Sequence, residues 1–147
     1  MIPDFDDDGN LPHGIYWASW EEFKQRFGIT PHRKRLLSGL KAALLSLQTA
    51  GCQSVYLDGS FVTAKHTPGD FDGCWDPNGV DPFQLDPILL RFDNGCFAQK
   101  IKYFGELFLA STQENQSGLA FLDFFQTDKN TGTAKGIIAL KLQGITL

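Results

Sequence analysis

The clearest pattern in the chain is a helical repeat of apolar residues between Pro31 and Gly51. Thr30 and Pro31 supply an N-cap and a first-turn proline, and Gly51 ends the repeat. The apolar positions follow the 3.6-residue period of an α-helix, at Leu36, Leu37, Leu40, Ala43, Leu44 and Leu47. The pattern therefore predicts a long helix over residues 31–50 that buries a leucine stripe.

A shorter helix is predicted just before it. Ser19 and Glu22 have the spacing of a capping box, and two phenylalanines then repeat four residues apart. These signals predict a helix over residues 20–27. The preceding residues 1–18 are rich in Pro, Asp and Gly and show no period, which predicts an ordered N-terminal arm.

Runs of apolar, β-branched and aromatic residues predict four strands after the long helix. They cover residues 54–57, 70–75, 106–110 and 137–142. Strands and helices are interleaved along the chain. This order predicts the α+β class, with a mixed β-sheet and helices packed on it.

The segments between the strands have weaker patterns. Residues 82–92 favour a helix, whereas 97–103 and 119–125 fit either a helix or a strand. The polar stretch 127–133 indicates a turn. These boundaries depend on tertiary contacts more than on local sequence.

Composition indicates one domain with a real hydrophobic core. The chain has 147 residues, of which 42% are hydrophobic and 20% are charged, and 13 are phenylalanine. Residues 1–147 are therefore expected to fold as a single domain. The three cysteines form no C-x-x-C pair, so neither a disulfide framework nor a thiolate zinc site is indicated.

Charge narrows the range of partners. Thirteen basic residues against seventeen acidic ones give a net charge of −4, which disfavours a dedicated duplex binder and restricts any RNA contact to a local patch. The basic run His32–Arg35 at the start of the long helix is expected to be a solvated face, with an RNA or phosphate contact as the alternative.

The chain also lacks the signals of export. No run approaches 18 apolar residues, and the N-terminus is acidic where a secretory signal would be basic and then apolar. A cytoplasmic protein without a membrane contact is therefore expected.

The residues with the most distinctive chemistry follow two neighbouring strands. Gly59 and Ser60 end the first predicted strand, where a glycine lets the backbone approach a phosphate and a serine offers donors to its oxygens. Asp70 and Asp72 lie two apart on the next strand, so their carboxylates share one face. Because Mg²⁺ prefers carboxylates together with substrate phosphates, the pattern predicts a site for Mg²⁺ and a triphosphate.

At these residues the chain resembles the nucleotidyltransferase superfamily with the DNA polymerase β-like fold. The signature of that superfamily is a hydrophobic residue, Gly, then Gly or Ser, a spacer of about ten residues, and Asp-x-Asp or Asp-x-Glu. A family of small uncharacterised bacterial proteins within the superfamily is similar over nearly the whole chain, through the segments Ile2–Phe5, Gly9–Gly14, Leu57–Thr63, Phe124–Lys129 and Lys135–Ile137.

The resemblance implies transfer of a nucleoside monophosphate from an NTP to an acceptor, which could be a protein, an RNA or a small molecule. It assigns Asp70 and Asp72 to catalysis and to Mg²⁺ or Mn²⁺, and Gly59 and Ser60 to nucleotide binding. Minimal members often carry an arginine after the Gly-Ser pair. Here Lys65 is the candidate that supplies positive charge to the triphosphate.

Such sites need a third carboxylate, and two residues qualify. Glu106 lies on the predicted strand that follows Asp72 after a helix-sized connection, and Asp123 lies among aromatics further along the chain. Glu106 is the first choice for both catalysis and metal binding. Asp58, beside the Gly-Ser pair, either has a catalytic role or is an ordinary turn residue before Gly59.

A different class of function fits the same resemblance. A catalytically silent nucleotidyltransferase fold can act as a binding module, such as the antitoxin-like partner of a toxin in a toxin-antitoxin or phage-defence pair. The third carboxylate separates the two hypotheses. Three acids that converge favour an enzyme, whereas two acids beside an apolar residue favour the silent module.

Overall fold

A mixed sheet of five strands forms the centre of the computed structural model, which describes residues 1–127, 132 and 134–147. The strand order is β1-β5-β2-β3-β4. β2 runs antiparallel to both of its neighbours, and the outer pairs β1/β5 and β3/β4 are parallel. The strands are β1 (Gly14–Ala18), β2 (Ser54–Asp58), β3 (Phe71–Trp75), β4 (Gly105–Leu109) and β5 (Gly136–Lys141).

Helices complete an α+β architecture. In the described part of the chain they are α1 (Trp20–Phe27), α2 (Pro31–Thr49), α3 (Asp93–Tyr103) and α4 (Phe121–Phe124), with 3-10 turns at Ser60–Val62 and Pro87–Leu90. The predicted caps are present, since Ser19 and Thr30 each accept a hydrogen bond from the backbone amide three residues ahead at 3.1 Å. No described helix combines the length and the apolar character needed to cross a membrane.

The leucine stripe of α2 is buried, as its period predicted. Leu40, Leu44 and Leu47 are inaccessible to solvent and belong to one core with residues from the strands, including Leu57 and Phe71. Residues that alternate with these strand residues point to the opposite face of the sheet. Asp58 and Asp72 lie on that opposite face, away from α2.

The four predicted strands and both N-terminal helices are confirmed, with boundaries shifted by one residue at most. The helix predicted over 82–92 is wrong. The segment contains a turn over residues 82–84 and a short 3-10 helix at Pro87–Leu90, with no α-helix. The carboxylates of Asp81 and Asp86 each accept a hydrogen bond from the amide two residues ahead at 3.0 Å, a local bond that competes with helix formation.

The N-terminal arm contains a strand that the sequence did not reveal. β1 pairs with β5 along its whole length at the edge of the sheet. Ile15 and Trp17 remain substantially exposed, so the segment lacks the apolar run that marks a buried strand. Of the ambiguous segments, 97–103 lies within α3 and 119–125 contains α4. Most of the turn predicted at 127–133 lies outside the described residues.

Candidate functional site

Three carboxylates from adjacent strands meet at one end of the sheet. Asp72 on β3 lies directly opposite Glu106 on the parallel strand β4, and Asp70 precedes Asp72 by two residues. One carboxylate oxygen from each residue can be chosen so that all three lie within 4.8 Å of one another. The expectation that Glu106 lies beside Asp72 is therefore confirmed, and these hard oxygen donors suit Mg²⁺ or Mn²⁺.

The environment of Asp72 strongly perturbs its carboxyl. Burial raises the pKa of its carboxyl to about 8, and the hydrogen bond to Glu106 and the charges of Asp70, Glu106 and Asp58 act in the same direction. In the metal-free protein this carboxyl holds its proton near neutral pH. A divalent cation would remove the repulsion that keeps the proton in place.

This electrostatic arrangement predicts a pH-dependent effect of Asp72→Asn on stability. Because the pKa of Asp72 is about 8 in the folded protein and 3.8 without burial, the stability of the wild type falls as the pH rises through this interval. Without metal, the variant should gain about 1–3 kcal/mol over the wild type between pH 5 and pH 9, since one pKa unit corresponds to about 1.4 kcal/mol.

Urea unfolding in EDTA at pH 5, 7 and 9 measures this gain. Asp123→Asn, a change at an exposed carboxylate, is the control. If the free energies of unfolding of the wild type and Asp72→Asn changed with pH in parallel, the expected cost of burying the Asp72 charge would be contradicted.

Lys100 supplies a counter-charge to the acids. Its Nζ lies 3.6 Å from Oε2 of Glu106 and 4.0 Å from Oδ2 of Asp70. The lysine lies on α3. The first turn of this helix contains three residues with left-handed backbone, Asn94 to Cys96. The Lys100 side chain is 43% exposed, so a cation that enters the cluster can displace it into solvent at low cost.

Gly59 is required by the geometry of the acid cluster. Its φ of +75° lies in the left-handed region, and a Cβ atom there would lie 2.3 Å from Oδ2 of Asp72. Any larger side chain would push against a carboxylate that the cluster needs. The Gly-Ser pair and the Asp-x-Asp pair are thus in direct contact.

Gly59→Ala should destabilise the protein by about 2–4 kcal/mol, because it combines an unfavourable φ with a steric clash. Gly79→Ala is the matched control, since Gly79 has a φ of +78° but no described atom within 4 Å of the place that a Cβ would take. We expect about 1 kcal/mol for the control. Equal losses in thermal or urea unfolding would show that contact with Asp72 adds nothing.

The loop that follows Gly59 is held by a buried arginine. The guanidinium of Arg33 donates to the carbonyl oxygens of Phe61 at 2.6 Å, Thr63 at 2.9 Å and Lys65 at 2.6 Å, and also to that of Phe27 at 3.1 Å. Burial lowers the pKa of Arg33. This residue fixes the backbone that carries Ser60 and Lys65.

The expectation of a solvated basic face at His32–Arg35 is therefore wrong for Arg33, which is 3% exposed. Lys34 and Arg35 are exposed as expected, and the ring of His32 bonds the carbonyl of Pro68. A basic residue in the first turn of a helix opposes the helix dipole. That signal was visible in the sequence, but the carbonyl groups that compensate for it come from a loop about thirty residues away.

A cleft of about 520 Å³ brings the predicted site residues together. Gly59, Ser60, Lys65, Asp70, Asp72 and Glu106 all line it. Its volume falls in the range of small-molecule sites. Asp123 is exposed on α4 and does not appear among the described lining residues, so Glu106 is the acid that joins the aspartates.

Among the charged residues of the cleft, Lys135 was not predicted as a site residue and the role of Asp58 was left open. Asp58 is buried, and Lys135 lies just before β5 with its Nζ 3.1 Å from Oδ1 of Asp58. Phe124, Phe125 and Thr127 form a further part of the cleft wall. Lys135 lies in a segment that carries the family resemblance, but the local sequence does not indicate its place in the cleft, because its partner Asp58 is distant in the chain.

Comparisons with known proteins give one match. No curated protein and no solved structure matches the chain. The model of a family of unknown function, DUF6932, matches residues 3–141, which include the acid cluster and the loop after Gly59. Because the match covers nearly the whole sequence, the chain belongs to the family of unknown function DUF6932.

Proposed function

We propose that the protein is a Mg²⁺- or Mn²⁺-dependent nucleotidyltransferase with a polymerase β-like fold. It transfers a nucleoside monophosphate from an NTP to an acceptor, which is a protein, an RNA or a small molecule, and releases pyrophosphate. One observation carries the proposal: three carboxylates from neighbouring strands converge in a cleft whose next wall is the loop of Gly59 and Ser60.

The donor set of the cluster fits the proposed metal. Asp70, Asp72 and Glu106 offer only oxygen ligands, and their mutual repulsion raises the pKa of Asp72. Divalent cations, when bound, supply charge neutralisation and Lewis-acid activation to a phosphoryl transfer. Lys100 balances part of this charge from the side of α3.

The chain's own residues account for the binding of an anionic substrate. Gly59 has no side chain to block the approach of a phosphate, and Ser60 and Lys65 bring a hydroxyl and an ammonium group to the same cleft. The bonds from Arg33 hold this loop in place before any ligand arrives. A preorganised loop reduces the entropy lost on binding.

The proposal includes a bacterial cytoplasmic location, since the reaction consumes nucleoside triphosphates. A protein acceptor would be a partner such as a cognate toxin. The convergence of a third acid with the two aspartates supports the enzyme over the silent binding module, for which an apolar residue in that place was the expectation.

A transfer assay tests the proposal. Each of the four α-labelled NTPs is incubated with the protein and Mg²⁺. One reaction has no added acceptor, so that only the protein itself can be labelled, and the others contain total RNA or the product of a neighbouring gene. We expect metal-dependent labelling of one acceptor with release of pyrophosphate, abolished by EDTA. If no acceptor is labelled with any NTP in Mg²⁺ or Mn²⁺, transfer to protein or RNA is contradicted, and if no pyrophosphate is released either, the binding module replaces the enzyme.

A further inference from the structure

Lys135 forms a largely buried ion pair with Asp58, which is not one of the three acids of the cluster. Its Nζ lies 3.1 Å from Oδ1 of Asp58, and the two side chains are 18% and 6% exposed. Asp58 lies directly opposite Asp72 in the antiparallel pair of β2 and β3. A fourth carboxylate therefore adjoins three that already repel one another, and Lys135 places a cation beside it.

The lysine faces the same cleft as the acids. Asp58, Lys135 and Lys65 line it together with Asp72 and Glu106. An ammonium group has three N–H donors, so one carboxylate oxygen at 3.1 Å leaves donors for a second anion. Being largely buried, the Lys135 side chain also has little conformational entropy left to lose when it binds a ligand.

A single ligand must satisfy carboxylates and lysines in one cleft. A free anion would be repelled by the acids, and a bare cation would make no favourable contact with the ammonium groups of the lysines. A polyphosphate that carries a divalent cation meets both requirements, because its metal faces the acids and its outer oxygens face the lysines.

We infer that Lys135 binds the polyphosphate of the metal-bound ligand. This inference rests on the proposed function for the nucleotide, but its chemistry requires only the phosphate chain. Lys135 enters from the start of β5, and Lys65 enters from the loop after Gly59, so the phosphate chain lies between two lysines from different segments.

The test should not change the charge balance around a buried carboxylate at the same time as it removes the lysine. Lys135→Met alone removes a cation from beside Asp58, so the informative pair is Asp58→Asn against Asp58→Asn with Lys135→Met. These two proteins differ only in the lysine. Lys135→Arg keeps the charge, and Lys141→Met, on the exposed end of β5, is the matched control.

Calorimetry with Mg²⁺ and inorganic tripolyphosphate, and then with each NTP, measures the effect. We expect the double variant to bind tripolyphosphate at least 10-fold more weakly than Asp58→Asn. Lys135→Arg should stay within about 3-fold of the wild type, and Lys141→Met within about 2-fold. Circular dichroism verifies that each variant is folded.

The outcomes separate this inference from the proposed function. Equal tripolyphosphate affinity for the paired variants would overturn the role of Lys135, whatever the transfer assay shows. Lysine-dependent binding of tripolyphosphate without nucleotide transfer would support Lys135 and contradict the enzyme. A wild type that binds neither tripolyphosphate nor any NTP would overturn both.

If the paired variants do not fold, the inference is tested on the wild-type protein. Acetylation of lysines, read by mass spectrometry, should fall at Lys135 and not at Lys141 when Mg²⁺ and tripolyphosphate are added. Unchanged labelling of Lys135 under saturating tripolyphosphate would overturn the inference.

Discussion

Asp70→Asn together with Asp72→Asn should abolish Mg²⁺-dependent triphosphate binding while the protein stays folded. Both residues contribute carboxylate oxygens to the same cluster, and an amide gives a divalent cation a dipole where it needs a charge. We expect the apparent dissociation constant for each Mg²⁺–NTP to rise at least 100-fold, which corresponds to about 2.7 kcal/mol.

The fold should tolerate this change because the native acids repel one another. Burial and neighbouring charges raise the pKa of Asp72 to about 8, so near neutral pH an amide replaces a carboxyl that is already uncharged in the metal-free state, and the loss of the Asp70 charge relieves repulsion. Calorimetry with a non-hydrolysable NTP measures binding, and urea unfolding measures stability. Asp123→Asn is the control, and unchanged binding in the double variant would place the triphosphate site elsewhere.

Glu106→Gln should separate binding from chemistry. Under the proposed function, the third carboxylate would act mainly on the acceptor oxygen and on charge that develops in the transition state, so its loss should reduce transfer far more than nucleotide affinity. We expect kcat to fall about 10²–10⁴-fold and the NTP dissociation constant to change less than about 10-fold.

The comparison with Asp123→Asn identifies the acid. Asp123 is exposed on α4, so its replacement should leave transfer within about 2-fold of the wild type. Transfer that survives in Glu106→Gln but is lost in Asp123→Asn would reverse the assignment. A loss of NTP affinity with an unchanged kcat in Glu106→Gln would make it a ground-state ligand only.

The elements that were predicted correctly from the local sequence are those that interactions between residues close in the chain determine. The leucine period of α2 and the caps at Ser19 and Thr30 predicted two helices because burial and hydrogen bonding within a few residues specify them. Strand alternation placed Asp70 and Asp72 on one face. The resemblance added Glu106, whose position depends on the parallel pairing of β3 with β4.

Three features that the sequence did not reveal depend on distant partners, namely β1, the burial of Arg33 and the ion pair of Lys135. β1 forms by pairing with β5 near the other end of the chain. Arg33 is buried because the loop after Gly59 brings carbonyl oxygens to it. Lys135, just before β5, forms its ion pair with Asp58 on the neighbouring strand β2. In 82–92 the local hydrogen bonds of Asp81 and Asp86 outweighed a weak apolar period.

The most direct test of the account is to locate a metal ion in the cleft. A crystal grown with Mn²⁺ and a non-hydrolysable NTP would reveal the ion by its anomalous scattering. The account predicts a peak within coordination distance of Asp70, Asp72 and Glu106, with the phosphates near Ser60. A bound nucleotide whose Mn²⁺ lies away from these carboxylates, or a cluster without a peak at saturating Mn²⁺, would contradict it.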